Sequence, residues 1–228
     1  MLVKILQARL TVLALCWMSL LFTAQVQASC SAPETSVEDA ALTPSQIIET
    51  VTVDVLAEIE RHRAGRDDSA DEKLKAQHFD CFLDQVDSIL GGVVDFDWIA
   101  LKVMGGYGKN ASSEQKALFV ETFRSGLVDT YGRGLLSYSS QEIVLLPAEP
   151  VGEKRKVTVR QLIAGDDASY PLAYTMGFKN GQWKVINVVI NGINMGKSFR
   201  KQFVDASEKN EGDIDKVIAS WGSGYNNG

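Results

Sequence analysis

An Asn-Gly pair at positions 180 and 181, set between two runs of alternating apolar residues, constrains this chain more than any other stretch. The flanking runs are Tyr-Pro-Leu-Ala-Tyr-Thr-Met-Gly-Phe at 170–178 and Trp-Lys-Val-Ile-Asn-Val-Val-Ile at 183–190. A two-residue hairpin turn of type I′ needs positive φ at both central positions, which asparagine and glycine tolerate. That turn fixes the register. Regular alternation then sets Phe178 against Trp183, Met176 against Val185, Tyr174 against Asn187 and Leu172 against Val189. One face is therefore bulky and apolar, with a single amide inside it. The other sets small Pro171, Ala173, Thr175 and Gly177 beside Ile186, Val188 and Ile190. A sheet that is apolar on both faces needs two covers, supplied by protein on both sides or by protein on one and an apolar ligand on the other.

The rest of the chain supplies covers. Residues 1–28 carry Lys4 and Arg9, then an apolar run, then Val26-Gln27-Ala28. This is the pattern of a secretory signal peptide and is set aside from fold reasoning. Of the three cysteines, Cys16 leaves with it. Cys30 and Cys81 remain, an even pair that in an exported chain favours a disulfide, with two free thiols as the alternative. The net charge of −6 becomes more negative once the leader is removed, which argues against nucleic acid as a partner. Residues 29–42 have no period and read as a flexible leader.

A single domain is expected over 43–221. Thr43-Pro44 opens a helix with Ile47, Ile48, Val51, Val55 and Ile59 on one face, ending near Gly65. Leu74, His78, Cys81, Phe82, Val86 and Leu90 mark a second, stopping at Gly91-Gly92. A third begins at Asp95. Ser112 with Gln115 forms a capping box for the longest helix, whose stripe of Phe119, Phe123, Leu127, Tyr131 and Leu135 is expected to pack on the sheet. Runs at 141–146, 156–163, 170–178 and 183–190 then have strand character, giving a four-stranded antiparallel meander. Two helices close the chain at 195–208 and 213–221, leaving 222–228 as a disordered tail. The fold class is α+β, one meander sheet packed with six or seven helices.

Reactive chemistry is sparse. His62 and His78 lie on separate helical segments without a partner at ligand spacing. No nucleophile elbow is present, and Met104-Gly-Gly-Tyr-Gly-Lys109 lacks both the first glycine and the hydroxyl residue of a phosphate loop. Asp95 and Asp97 form a carboxylate pair whose helix-start position suits capping. Lys154-Arg155-Lys156 and Lys197, Arg200 and Lys201 are basic clusters on an acidic chain, readable as surface charge or as contacts to a lipid headgroup or partner. Excess apolar surface without chemistry points to carrying rather than converting.

The order of several pieces resembles the MlaC family of periplasmic phospholipid-binding proteins, also described as the toluene-tolerance auxiliary component. These are Val94-Asp-Phe-Asp-Trp-Ile-Ala through Met104-Gly105, Glu114-Gln115 with Phe119 and Phe123, Leu127 with Tyr131, Gly181-x-Trp183-Lys184-Val185, Asn187-Val188 with Gly192, and Phe199-Arg200-x-x-Phe203. The resemblance implies a nuclear-transport-factor-like shape with an apolar cavity between sheet and helices that takes phospholipid acyl chains, and no cofactor. It implies as partners an inner-membrane ABC transporter complex with a periplasmic lipid-binding ring, and an outer-membrane lipoprotein associated with porins. Stripe and alternation nominate Val103, Met104, Phe123, Leu127, Tyr131, Tyr174, Met176, Val185 and Phe199 as cavity lining. Two rival readings are a small enzyme with Asp95 or Asp97 as base and Tyr131 as acid, and an adaptor or chaperone with an exposed apolar groove.

Overall fold

The structure is a computed structural model that describes residues 42–139, 141–148, 150–165 and 168–224. The leader 1–28, Cys30, residues 29–41 and the tail beyond Gly224 lie outside the described residues.

Helix α1, Pro44–Ala64, begins at a capping box between Thr43 and Gln46, with Pro44 in the first turn, and its C-cap is Gly65. This placement satisfies N–H groups that no helical carbonyl can reach. Helix α2, Glu72–Val93, is capped by Asp71 and packs along α1. It continues one residue beyond the expected Gly91-Gly92 stop. A Cβ on Gly91 would lie 2.5 Å from Arg124 Nη2, so this glycine makes room for a guanidinium rather than ending the helix. Helix α3, Phe96–Met104, is followed by a 3₁₀ turn at Tyr107–Lys109, entered through Gly105 at φ +57°. The glycines between 104 and 109 therefore break one helix before the next. Helix α4, Ser113–Leu135, has the capping box of Ser112 and Gln115.

Strands β1 (Glu142–Leu145), β2 (Lys156–Ala164), β3 (Ser169–Lys179) and β4 (Gln182–Ile190) form the expected meander. The sheet has five strands rather than four, in the order β1-β2-β3-β4-β5, with β5 (Ile193–Asn194) paired on Val189 and Ile190. A second Asn-Gly pair, Asn191 at φ 48° and Gly192 at φ 81°, supplies the turn. Helices α5 (Met195–Lys209) and α6 (Ile214–Gly224) complete the described residues, α6 taking the first part of the expected tail.

The β3–β4 register departs from simple alternation. Phe178 faces Trp183 and Met176 faces Val185 as expected, but the pairing shifts between Thr175 and Met176, so Thr175 meets Asn187, Tyr174 meets Val188 and Leu172 meets Ile190. Ile186 is the extra residue of a β-bulge, which reverses the facing of every later residue on β4. Asn187 thereby leaves the face of Tyr174 and Val188 takes its place. That inner face is apolar apart from residues on β2 and the Tyr174 hydroxyl.

Apolar packing falls into three clusters. The first lies among α3, α4, α5 and α6, where Phe119, Phe123, Phe199, Phe203 and Trp221 stack around Val103 and Met104. The expectation that the α4 stripe packs on the sheet is corrected here. Phe119 and Phe123 find aromatic partners on α5 and α6, whose rings offer more contact than the sheet's aliphatic groups. The second cluster joins the inner sheet face, through Val159, Met176 and Val185, to Ile47 and Ile48 of α1 and Val93 at the end of α2. The third joins α1, α2 and the end of α4 through Ile59, Phe82, Val86 and Val128.

Candidate functional site

The second and third clusters both take apolar groups from α1 and α2, so an apolar seam built of two separate buried clusters follows these helices away from the inner sheet face. Its sheet side includes Val157, Tyr174 and Val188, all partly exposed, around fully buried Met176 and Val159. Its helix side continues from Ile47 and Val93 to Val55, Leu56 and Leu90, again partly exposed, while Leu83 of α2 turns away toward Gly132 of α4. Aliphatic groups left partly open along facing elements can receive a flexible hydrocarbon chain.

One polar chain crosses the seam. The Tyr174 hydroxyl donates to Gln161 Oε1 at 3.0 Å, Gln161 Nε2 donates to Thr52 Oγ1 at 2.9 Å, and Thr52 Oγ1 donates to the Ile48 carbonyl at 2.7 Å. Gln161 is buried at 3 % exposure, so these bonds are what makes its burial tolerable. Burial pushes the Tyr174 phenol up to about 12, which keeps it a neutral donor across the physiological range. Sequence reading missed Gln161. Its place between Val159 and Ile163, where alternation demands an inward side chain, was the available signal.

The nine residues nominated from sequence do not converge. Tyr174, Met176 and Val185 lie at the seam. Val103, Met104, Phe123 and Phe199 are buried in the aromatic cluster of α3 to α6, with Leu127 packed against it. Tyr131 is 41 % exposed on α4. Cys81 on α2 takes part in a disulfide, and Cys30 lies outside the described residues.

Of the rival enzyme reading's residues, Asp95 has a structural role as a helix cap. Asp95 Oδ1 accepts from the Trp98 amide as the α3 cap, and its other oxygen lies 3.8 Å from Lys179. His62 and His78 do meet, stacked with ring centroids 4.3 Å apart and planes within 12°. Among the described residues no group of three or more His, Cys, Asp or Glu side chains could hold a metal, and no helix is long and apolar enough to cross a membrane.

Helices layered on an antiparallel sheet, with apolar clusters between them, define an α+β protein. The chain belongs to the MlaC family, whose model, described as MlaC protein, matches residues 67–223. It is 37 % identical over 183 residues to the toluene tolerance protein ttg2D of Pseudomonas putida, covering 80 % of this chain and 81 % of that one. It is 28 % identical over 120 residues to the intermembrane phospholipid transport system binding protein MlaC of Haemophilus influenzae, covering 51 % of this chain and 56 % of the relative. A solved phospholipid-binding protein from Ralstonia solanacearum, in complex with a phospholipid, superposes with a TM-score of 0.67 at 22 % identity, covering 81 % of this chain and 97 % of that one.

Proposed function

We propose that this protein is a periplasmic carrier that holds phospholipid acyl chains in the seam between the inner sheet face and helices α1 and α2. The observation that carries the reading is the partly open aliphatic seam, in a family whose members are named for phospholipid binding and transport. Met176 and Val185 are closed over by protein, so the partly exposed Val157, Tyr174 and Val188 have surface left to meet a chain. The cargo is delivered between an inner-membrane ABC transporter complex with a periplasmic lipid-binding ring and an outer-membrane lipoprotein–porin complex, which maintains outer-membrane lipid asymmetry. The protein does no chemistry on the lipid.

Energetics motivate such a carrier. A two-chain lipid has roughly 30 methylenes, and exposing them to water costs on the order of 20 kcal/mol at about 0.8 kcal/mol each. A seam of equal apolarity offsets most of that cost, so small differences in affinity at each end suffice to direct transfer. The test is uptake. Delipidated mature protein is incubated with phospholipid vesicles, re-isolated and assayed for lipid phosphorus. Retained phosphorus at about one lipid per protein is expected, and none retained by folded protein would count against the reading.

A further inference from the structure

The outer face of the sheet carries a different site. An open groove of about 360 Å³ lies between α3, the outer faces of β3 and β4, and the start of α5. Its floor is apolar, from Trp98, Ile99, Val103 and Ile186. Its polar lining includes Lys102, Lys156, Lys197 and Arg200 and no carboxylate, on a chain where acids outnumber bases 29 to 23. None of these four cations has an ion-pair partner among the described residues, whereas Lys201 on the same helix pairs with Asp205.

The neutral groups have the same polarity. The bulge at Ile186 turns Asn187 outward, where its Oδ1 accepts from the Gly196 amide at 3.1 Å, while Asn194 Oδ1 accepts from the Lys197 amide at 3.0 Å. Because backbone N–H groups can meet only the carbonyl oxygen of a carboxamide, the assignment of both amides is fixed. With each oxygen held by the helix, the polar group each asparagine has left for the groove is its NH₂, a donor. Four cations and two amide donors gathered in a concavity repel one another when it is empty and attract an oxyanion strongly.

We propose that this groove is a second ligand site, binding a phosphate group. It lies on the opposite sheet face from Tyr174 and Val188, so it is separate from the seam that receives acyl chains and stands whether or not that seam holds lipid. The phosphate is either the headgroup of a phospholipid presented from outside or free inorganic phosphate.

Amide and indole NMR shifts of the mature protein separate the sources at constant ionic strength. Inorganic phosphate is titrated in one arm and glycerophosphoglycerol, a headgroup without acyl chains, in the other. Saturable shifts centred on Gly196, Lys197 and the Trp98 indole are expected, weakened at least tenfold in Lys156→Glu/Lys197→Glu, whose two side chains are exposed and leave the fold intact by its unchanged Tm. Tighter binding of inorganic phosphate assigns the free ion, and tighter binding of the headgroup compound assigns a lipid. No saturable shift with either, or equal binding by the double variant, overturns the proposal.

Discussion

The hydroxyl of Tyr174 donates to Gln161 Oε1 at 3.0 Å in the middle of an otherwise apolar face, and Gln161 passes the connection to Thr52 on α1 at 2.9 Å. Sheet and helix are thus tied by a polar chain that would be costly if broken at one end. Tyr174→Phe leaves the buried Gln161 oxygen unpaired, and a loss of about 1–3 kcal/mol in denaturant unfolding is expected. Tyr174→Phe combined with Gln161→Leu should recover part of the loss, because both buried polar partners are then gone. A double variant less stable than the single one would contradict the account of this bond.

The bulge at Ile186 makes a prediction on the outer face. A Cβ on Gly196 would lie 2.6 Å from Asn187 Oδ1, so Gly196→Ala should destabilise by about 1–2 kcal/mol through overpacking and a lost amide bond. In an Asn187→Ala background the obstruction is absent and the same change should cost little. Additive costs in a double-mutant cycle would show that Asn187 does not face Gly196.

Two tryptophan substitutions separate the seam from the helical core. Val188→Trp fills the half-buried space beside Tyr174 and should lower phospholipid bound per folded protein about tenfold, or about 1.4 kcal/mol. Leu127→Trp, on the helix packed against the aromatic cluster, should reduce stability by about 1–3 kcal/mol while the folded fraction keeps its lipid. The opposite pattern would move the lipid site to α4.

Acid should weaken the packing of α1 on α2. Burial, and then the nearby His78 and Arg66 charges, hold the His62 imidazole below its ordinary value of 6.5. The unfolded chain therefore takes up this proton more readily than the folded one, so the contribution of His62 is whole above about pH 6.5 and falls as pH drops below it. Buried Glu58 acts in the opposite direction, because desolvation raises its carboxyl and acid relieves it, so the variant comparison isolates the histidine. The fall in Tm from about pH 7.5 to about pH 5 should be smaller in His62→Phe than in the parent. Equal falls would remove His62 from the acid response.

Cys81 predicts a covalent tie to the N-terminal segment. Alkylation of the unfolded mature protein should label no cysteine before reduction and both Cys30 and Cys81 after it. In the chain-entropy model, closing the loop between them stabilises by about 4 kcal/mol, so Cys81→Ser should lower Tm markedly. Full labelling without reductant would rule out the pairing.

Local chemistry was readable in the sequence where it acts locally. Thr43-Pro44, Ser112 with Gln115 and Asn180-Gly181 each specify their own backbone, and the helix starts and hairpin turn follow. Asn191-Gly192 carried the same signal, but only two residues of strand follow it, too few for alternation to register. The bulge was not readable. Ile186 is apolar and β-branched like its neighbours, so nothing in residue type marks it as the extra one, and one extra residue moved Asn187 across the sheet. The site residues suffered a related ambiguity. A stripe such as Phe119, Phe123 and Leu127 shows which helix face is buried and is silent on what buries it, which depended here on Phe203 and Trp221 far along the chain.

The most direct test of the central claim is native mass spectrometry of the mature protein purified without detergent, with organic extraction of whatever accompanies it. The account predicts phospholipid in near one-to-one amount with the protein, released as intact lipid. A clean apo mass, in protein that also takes up no phospholipid from vesicles, would contradict it.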